Sequence, residues 1–294
     1  MPNTLAHFGI QTVASKAVDR TADVKWIGVG CLIPDIPWIT QRLISVVPGI
    51  DLLSLRIYCM IQASLFFCLI LCAVFALVNR NPRNLFLLLA GNSLAHLLLD
   101  AAQTKWANGV HLLAPVSWQL SQYQLFWPES VVTIVLSAGG LAIIFYYGWQ
   151  ERYRAIYLQH SFFCYLLSFA LLLCYLLLPF AFFSATFEAD NHYVRTIRDT
   201  EQRAGKTIGF DRCHYDSKTE TISIFTGERI KLISAQPISD GTISLHGRFA
   251  GPDTIVAAMV HQHGGNRDVL SYTGLSILLL LWANALLRQL RKST

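Results

Sequence analysis

One apolar stretch of the chain carries two residues that invite a chemical reading. Within GNSLAHLLLDAAQTKWANGVH, residues 91–111, His96 and Asp100 stand four positions apart in a run otherwise rich in leucine and alanine. On a helix, positions i and i+4 lie one above the other, so an imidazole and a carboxylate would face the same way. Both are ligands for a divalent metal, and ionisable groups inside an apolar segment are functional candidates by default. The same spacing also suits a plain hydrogen-bonded pair packed against neighbouring helices, so the pair alone leaves both readings open.

Other candidates are weaker. His261 and His263 in MVHQHGG share one face of a strand, but no third ligand stands near them in sequence, and they read as exposed strand-end histidines. His214 and Asp216 suit a hairpin turn, Asp211 and Arg212 a local salt bridge, and Gly139 with Gly140 close packing between helices. No Ser-His-Asp pattern, P-loop or dinucleotide fingerprint is visible.

The elements that must position these groups are those of a membrane protein. Of 294 residues, 53% are hydrophobic and 14% charged, against roughly 25% charged in a typical globular chain. Apolar runs at 57–78, 130–149, 162–184 and 271–287 approach the ~20 residues that cross a bilayer. A fifth, 84–100, carries His96 and Asp100. The expected fold is an α-helical integral membrane protein of about five transmembrane helices plus an interfacial N-terminal helical segment and a small β-rich extramembrane domain. Residues 1–25 read as an amphipathic helix, with Asn3 or Thr4 as N-cap and Leu5, Phe8, Ile10 and Val13 as apolar positions. Residues 26–47 are broken by Pro34, Asp35, Pro37 and Arg42 and read as a re-entrant or interfacial hairpin.

The loop 101–128 holds Trp106, Trp118, Tyr123, Phe126 and Trp127, rings that favour the headgroup level. Beyond the spans at 130–149 and 162–184 the character changes. KTIGFDRCHY, ETISIFTG, RIKLISA, TISLHGRFAG and TIVAAMVHQ alternate as strands between Gly and Asp turns, after a helical extension at 188–204. The chain thus divides into a membrane-embedded part (1–187), a β-rich domain (188–270) and a final span with a basic tail (271–294).

Arg80 and Arg83, Arg152 and Arg154, and Arg288, Arg291 and Lys292 fall on one side if the spans alternate. The positive-inside rule makes that side cytoplasmic. The loop 101–128, the β-domain and the N-terminus then lie outside, in the periplasm of a bacterial inner-membrane protein. MPNTLAHFGIQ lacks the basic and long apolar parts of a cleavable signal, so insertion is expected to fall to the spans. Cys31, Cys59, Cys68, Cys72, Cys164 and Cys174 lie in or beside apolar segments and Cys213 stands alone in the β-domain, which predicts free thiols. The net charge of +5 sits mostly in short basic loops, and no basic stripe with interleaved aromatics argues for a nucleic-acid partner.

Three further stretches accompany His96 and Asp100. MPNTLAHFG places His7 near the start, CLIPDIPW places Asp35 after a proline, and GVHLLAPVSW places His111 just past the helix. Over residues 1–120 the combination resembles the YdjM-like family of membrane-bound metal-dependent hydrolases. That family pairs an early histidine with an l-P-D-i-D turn, a histidine–serine motif, and a helix ending H-x-x-x-D followed by a loop with Gly and P-x-s. It is distantly similar to zinc-dependent phospholipases C. The resemblance implies that His7, Asp35, His96 and Asp100, with His111 as a further candidate, hold a divalent metal, zinc or else manganese. It implies that Asp35 is either a ligand or the base that orients a water. Two positions depart from the pattern: Pro37 stands for the second aspartate of the turn, and Gln62 for the histidine of the histidine–serine motif.

The function expected from these signals is metal-dependent hydrolysis of a lipid phosphoester or lipid-linked substrate at the outer face of the inner membrane. The alternative is a non-catalytic envelope scaffold whose periplasmic domain, 188–270, binds a protein partner while His96 and Asp100 serve as polar glue.

Overall fold

The computed structural model describes residues 4–156, 158 and 161–293. The chain opens with α1 (Thr4–Val18) and α2 (Val24–Leu32), which run antiparallel to each other. A turn at residues 19–23 joins them, and Asp23 caps α2 by accepting from the Lys25 amide at 2.9 Å. A 3-10 turn (Ile33–Asp35) then leads into α3 (Ile36–Ile44). The hairpin is therefore made by α1 and α2, and the prolines at 34 and 37 bend the exit from it. Asn3, one of the two expected caps, lies outside the described residues.

The expected interfacial amphipathic helix is instead packed inside the bundle. Leu5, Ala6, His7, Phe8, Gln11, Thr12 and Lys16 are all buried. Glycines make this entry possible. A Cβ on Gly9 would stand 2.1 Å from the Gly140 Cα, and one on Gly274 would stand 2.7 Å from the Leu5 amide nitrogen. Helix α1 can therefore approach both later helices at backbone distance. Gly139, by contrast, faces open space.

The next expected span, 57–78, is broken into α4 (Leu52–Gln62) and α5 (Leu65–Leu77), bent by 69°. At the break the Leu65 amide donates to the His111 carbonyl at 3.3 Å, so the aromatic loop satisfies a backbone group that the bend exposes. Helix α6 (Pro82–Ala102) opens with a proline in its first turn and runs straight through His96 and Asp100. After the loop come α7 (Val131–Gln150), α8 (Phe162–Leu177), the short α9 (Phe183–Glu188) and α10 (Val194–Arg198), and, past the strands, α11 (Asn266–Ser293). Four helices are long and apolar enough to cross a membrane, or five if α4 and α5 count as one broken span. Their outward faces carry large apolar side chains such as Val135, Phe145, Phe163, Leu166 and Leu280, all exposed.

The two ends of the bundle differ. At one end Arg154 pairs with Asp23 at 3.7 Å, Lys16 with Glu151, and Arg80 donates to the Leu158 carbonyl at 3.1 Å. At the other lie His7, Asp100 and the β-domain. That domain is a closed five-stranded barrel in the order β1-β2-β3-β5-β4, built from β1 (Thr207–Asp216), β2 (Thr221–Ser223), β3 (Arg229–Ile233), β4 (Gly241–Phe249) and β5 (Thr254–Gln262). Only β3 and β5 pair in parallel, the connectivity of an OB-type barrel. Ile208, Phe210, Ile222, Ile230, Leu232, Ile243, Leu245 and Ile255 fill its interior. A bulge between Phe210 and Cys213 leaves Arg212 at φ 60° and turns Asp211 and Arg212 towards the bundle.

Gly9→Ala is expected to lower stability by about 1–3 kcal/mol through overpacking against α7, whereas Gly139→Ala, on the same α7, leaves it unchanged. Thermal unfolding of the detergent-solubilised chain checks both; equal midpoints would contradict the close approach.

Candidate metal centre

Three elements deliver the cluster. Helix α1 brings His7, the 3-10 turn brings Asp35, and α6 brings His96 and Asp100 from successive turns. His7, Asp35 and His96 are at most 2% exposed. The Nε2 of His7 lies 3.5 Å from Asp100 Oδ1, and that of His96 lies 3.7 Å from both Asp100 Oδ2 and Asp35 Oδ1. The two imidazoles stand 4.4 Å apart between centroids.

These separations decide how the cluster is read. They are too long for charge-assisted hydrogen bonds, which close at ~2.7–2.9 Å. They match the edge of a tetrahedron of donors around a shared ion at ~2.0–2.1 Å, about 3.4 Å. Asp35 Oδ2, His96 Nε2 and Asp100 Oδ1 are buried without a hydrogen-bond partner among the described residues, whereas the cluster-facing Nε2 of His7 has Gln103 beside it. Ligand atoms of His7, His96 and Asp100 all lie within 4.8 Å of one another, so the group could hold a metal ion. The donor set of two imidazoles and two carboxylates fits a divalent cation.

Two neighbours from the loop complete the surroundings. Lys105 Nζ lies 3.0 Å from Asp100 Oδ2, and Gln103 Nε2 lies 3.1 Å from His7 Nε2. Cys31 Sγ stands 3.8 Å from His96 Nδ1, on the side of the ring away from the aspartates. Lys105 left a trace in the sequence as the only basic residue of the loop 101–128; Gln103 left none.

His111 is not brought to this cluster. Its Nε2 accepts from the Asn191 amide at 2.9 Å, and Asn191 also donates to the Trp118 carbonyl at 2.6 Å. Burial pushes the His111 imidazole down to about 4, so it serves as a neutral acceptor. Gln62, at the departed family position, donates to Tyr58 Oη and the Tyr175 carbonyl, both at 3.1 Å, and Pro37 is buried in the first turn of α3.

The expected local salt bridge between Asp211 and Arg212 is not made. The bulge sends them to different partners: Asp211 accepts from Asn108 at 2.7 Å and Ser244 at 2.9 Å, while Arg212 pairs with Glu129 at 2.9 Å and Asp268 at 3.6 Å. His261 and His263 also differ from exposed strand ends. Trp127 stacks on His261 at 3.5 Å between centroids, and Glu129, remote in sequence, lies 2.7 Å from His263 Nδ1. These three polar residues form a second group with metal-compatible spacing, although His263 Nε2 is also engaged, with Ser244 Oγ at 2.7 Å.

Between the bundle mouth and the barrel lies a cavity of about 450 Å³. Asp35 and Asp100 line it together with Arg42, Arg56, Lys105 and Arg212. Carboxylates of the cluster thus open onto a polar space that Asp211 and Asp268 also line, so four cations there face four aspartates. Comparisons with protein-family models, curated proteins and solved structures find no match to this chain.

The depressed His111 gives a pH prediction. The imidazole titrates near 6.5 when unfolded and about 4 when folded, so the unfolded chain binds the extra proton between those values. Its contribution is complete above pH 6.5 and falls by up to ~3 kcal/mol as the pH drops to 4. His111→Gln should flatten that acid limb of the stability curve; an unchanged limb would refute the assignment.

Proposed function

We propose that this chain is a membrane-bound, metal-dependent hydrolase of the YdjM-like kind, acting on a lipid phosphoester or lipid-linked substrate at the outer face of a bacterial inner membrane. The observation that carries the reading is the set of buried donor atoms on Asp35, His96 and Asp100, without hydrogen-bond partners among the described residues, beneath a polar cavity lined by both cations and aspartates. Structural polar glue would have closed these contacts to hydrogen-bond length.

In this reading His7, His96 and Asp100, with Asp35 beside them, hold zinc or manganese. Such an ion supplies a Lewis acid for a phosphoryl oxygen and acidifies water towards neutral pH. The chain's own residues do the rest. Asp35 Oδ2 has no hydrogen-bond partner among the described residues and would serve as the base that takes a proton from water. Lys105 fixes Asp100 through Oδ2 and adds positive charge at the cavity wall. The aromatic loop 101–128 sits where a headgroup would enter, and the barrel roofs the cavity, so the periplasmic domain acts as part of the site. The positive-inside argument supports that placement.

Metal content per chain, measured by mass spectrometry on detergent-purified protein, tests the reading. Wild type should carry one or more equivalents of zinc or manganese, and His96→Ala/Asp100→Ala should lose them. No metal in wild type, even after reconstitution, would remove the hydrolase reading.

A further inference from the structure

We propose that α3 and the turn after it form a lipid-docking platform. Its apolar side lies in the bilayer leaflet nearest the barrel, and its polar side leads a phospholipid headgroup into the 450 Å³ cavity. The use of that cavity as an active site rests on the hydrolase reading; lipid contact by α3 does not.

The two faces of α3 (Ile36–Ile44) are the first argument. Trp38, Gln41, Arg42 and Ser45 recur at i, i+3, i+4 and i+7, the spacing of one helical face, and all of them line the cavity. Ile36, Ile39, Thr40 and Leu43 repeat that spacing on the opposite side. That side bears no charge, and its one hydroxyl is satisfied within the helix, Thr40 Oγ1 donating to the Ile36 carbonyl at 2.9 Å. The turn prolongs the apolar surface: Leu43, Val46, Val47 and Ile50 are all exposed, Val46 by 79%. A helix divided in this way lies in the plane of a membrane interface with its apolar side sunk ~5–10 Å.

Burial along the polar face is the second argument. Ser45 and Arg42 are exposed, Gln41 and Trp38 half-buried, and Asp35 fully buried. The face therefore descends from the surface to the carboxylate cluster over about 15 Å. Midway, Gln41 Oε1 is buried without a hydrogen-bond partner among the described residues, an acceptor open to a headgroup hydroxyl or ammonium.

Position identifies the occupant. Arg42 donates to Tyr272 Oη at 3.1 Å. Tyr272 stands near the barrel-side end of Asp268–Arg291, the length of α11 that is apolar enough to cross a membrane, and tyrosine favours the headgroup level. Tyr272 and Val269 are themselves exposed, so the apolar surface of α3 adjoins the outward face of a candidate span. Beyond the turn, Asp51 caps α4 and pairs with Arg198 of α10 at 2.5 Å. The platform thus lies between the end of α11 and the approach to the barrel, where the headgroups of a bilayer would stand.

The test uses full-length protein in nanodiscs of phosphatidylcholine and phosphatidylglycerol. The two less buried cysteines are removed (Cys164→Ser/Cys174→Ser), and one spin label at a time is placed on Leu43→Cys, Val46→Cys or Ile50→Cys. Power saturation compares collisions with oxygen, which concentrates in lipid, and with a water-soluble nickel chelate. These labels should favour oxygen several-fold more than one on Lys218→Cys, in an exposed turn of the barrel. A label on Ser45→Cys should be relaxed by nickel carried on a chelating lipid headgroup. Nickel-chelate access at 43, 46 and 50 equal to that at 218 overturns the proposal. Protection from both reagents also overturns it, since a protein partner or a second copy would then be the occupant. A Ser45→Cys label insensitive to headgroup nickel overturns the headgroup path. Missing metal in wild type with the accessibility pattern intact would remove the hydrolase reading and leave the platform standing.

Discussion

Burying His7, Asp35, His96 and Asp100 within a few ångströms of one another sets the terms for the rest of the molecule. Desolvating such groups is expensive unless each finds a partner, and here several of their atoms find none among the described residues. The surrounding bundle must therefore be rigid enough to hold the donors apart. It achieves this by threading α1 between α7 and α11 at backbone distance, through glycines at 9, 140 and 274, so that His7 arrives beside α6 from a fixed direction. The 3-10 turn performs the same service for Asp35.

The loop between α6 and α7 links this cluster to the barrel. It supplies Gln103 and Lys105 to the cluster, the His111 carbonyl to the break between α4 and α5, and Asn108, Trp127 and Glu129 to the barrel. A displacement of the barrel would therefore be felt at Asp100 through a short stretch of chain. The bulge in β1 matters for the same reason, since it gives Asp211 and Arg212 separate anchors on the bundle side.

What could be read in the sequence follows from which signals are local. Span length and apolar composition mark α6, α7, α8 and α11, and period-two alternation marks the strands, because one residue's neighbours in sequence decide both. The shared face of His96 and Asp100 follows from helix geometry alone. The break at Ala63 and Ser64 was hidden in a continuous apolar run, because it is stabilised by a carbonyl from a loop far along the chain. The depth of α1 was hidden as well: its pattern looks amphipathic, and only the apposition of Gly9 and Gly140 admits it to the interior. His111 misled because sequence proximity to a helix mouth does not determine where a loop side chain turns. Glu129 completes the histidine pair at the end of β5 from more than a hundred residues away, a relation no local pattern carries.

Three polar clusters in this molecule use similar residues to different ends, and their hydrogen-bond accounts distinguish them. At the basic end, Lys16 reaches Glu151 and the carbonyls of Arg20 and Ala22, and Lys25 reaches Asp23; these cations are saturated, as a structural anchor demands. At the barrel seam, His263 uses both ring nitrogens, on Glu129 and Ser244, and Arg212 also occupies Glu129. With both nitrogens of His263 closed to hydrogen-bond length, the seam reads as a latch between loop and barrel despite its suitable spacing. Only at the third cluster are donors aimed at one another across distances too long to bond and too short to ignore. The difference between a latch and a site lies in that residue of unsatisfied valence, and the residue types alone do not reveal it.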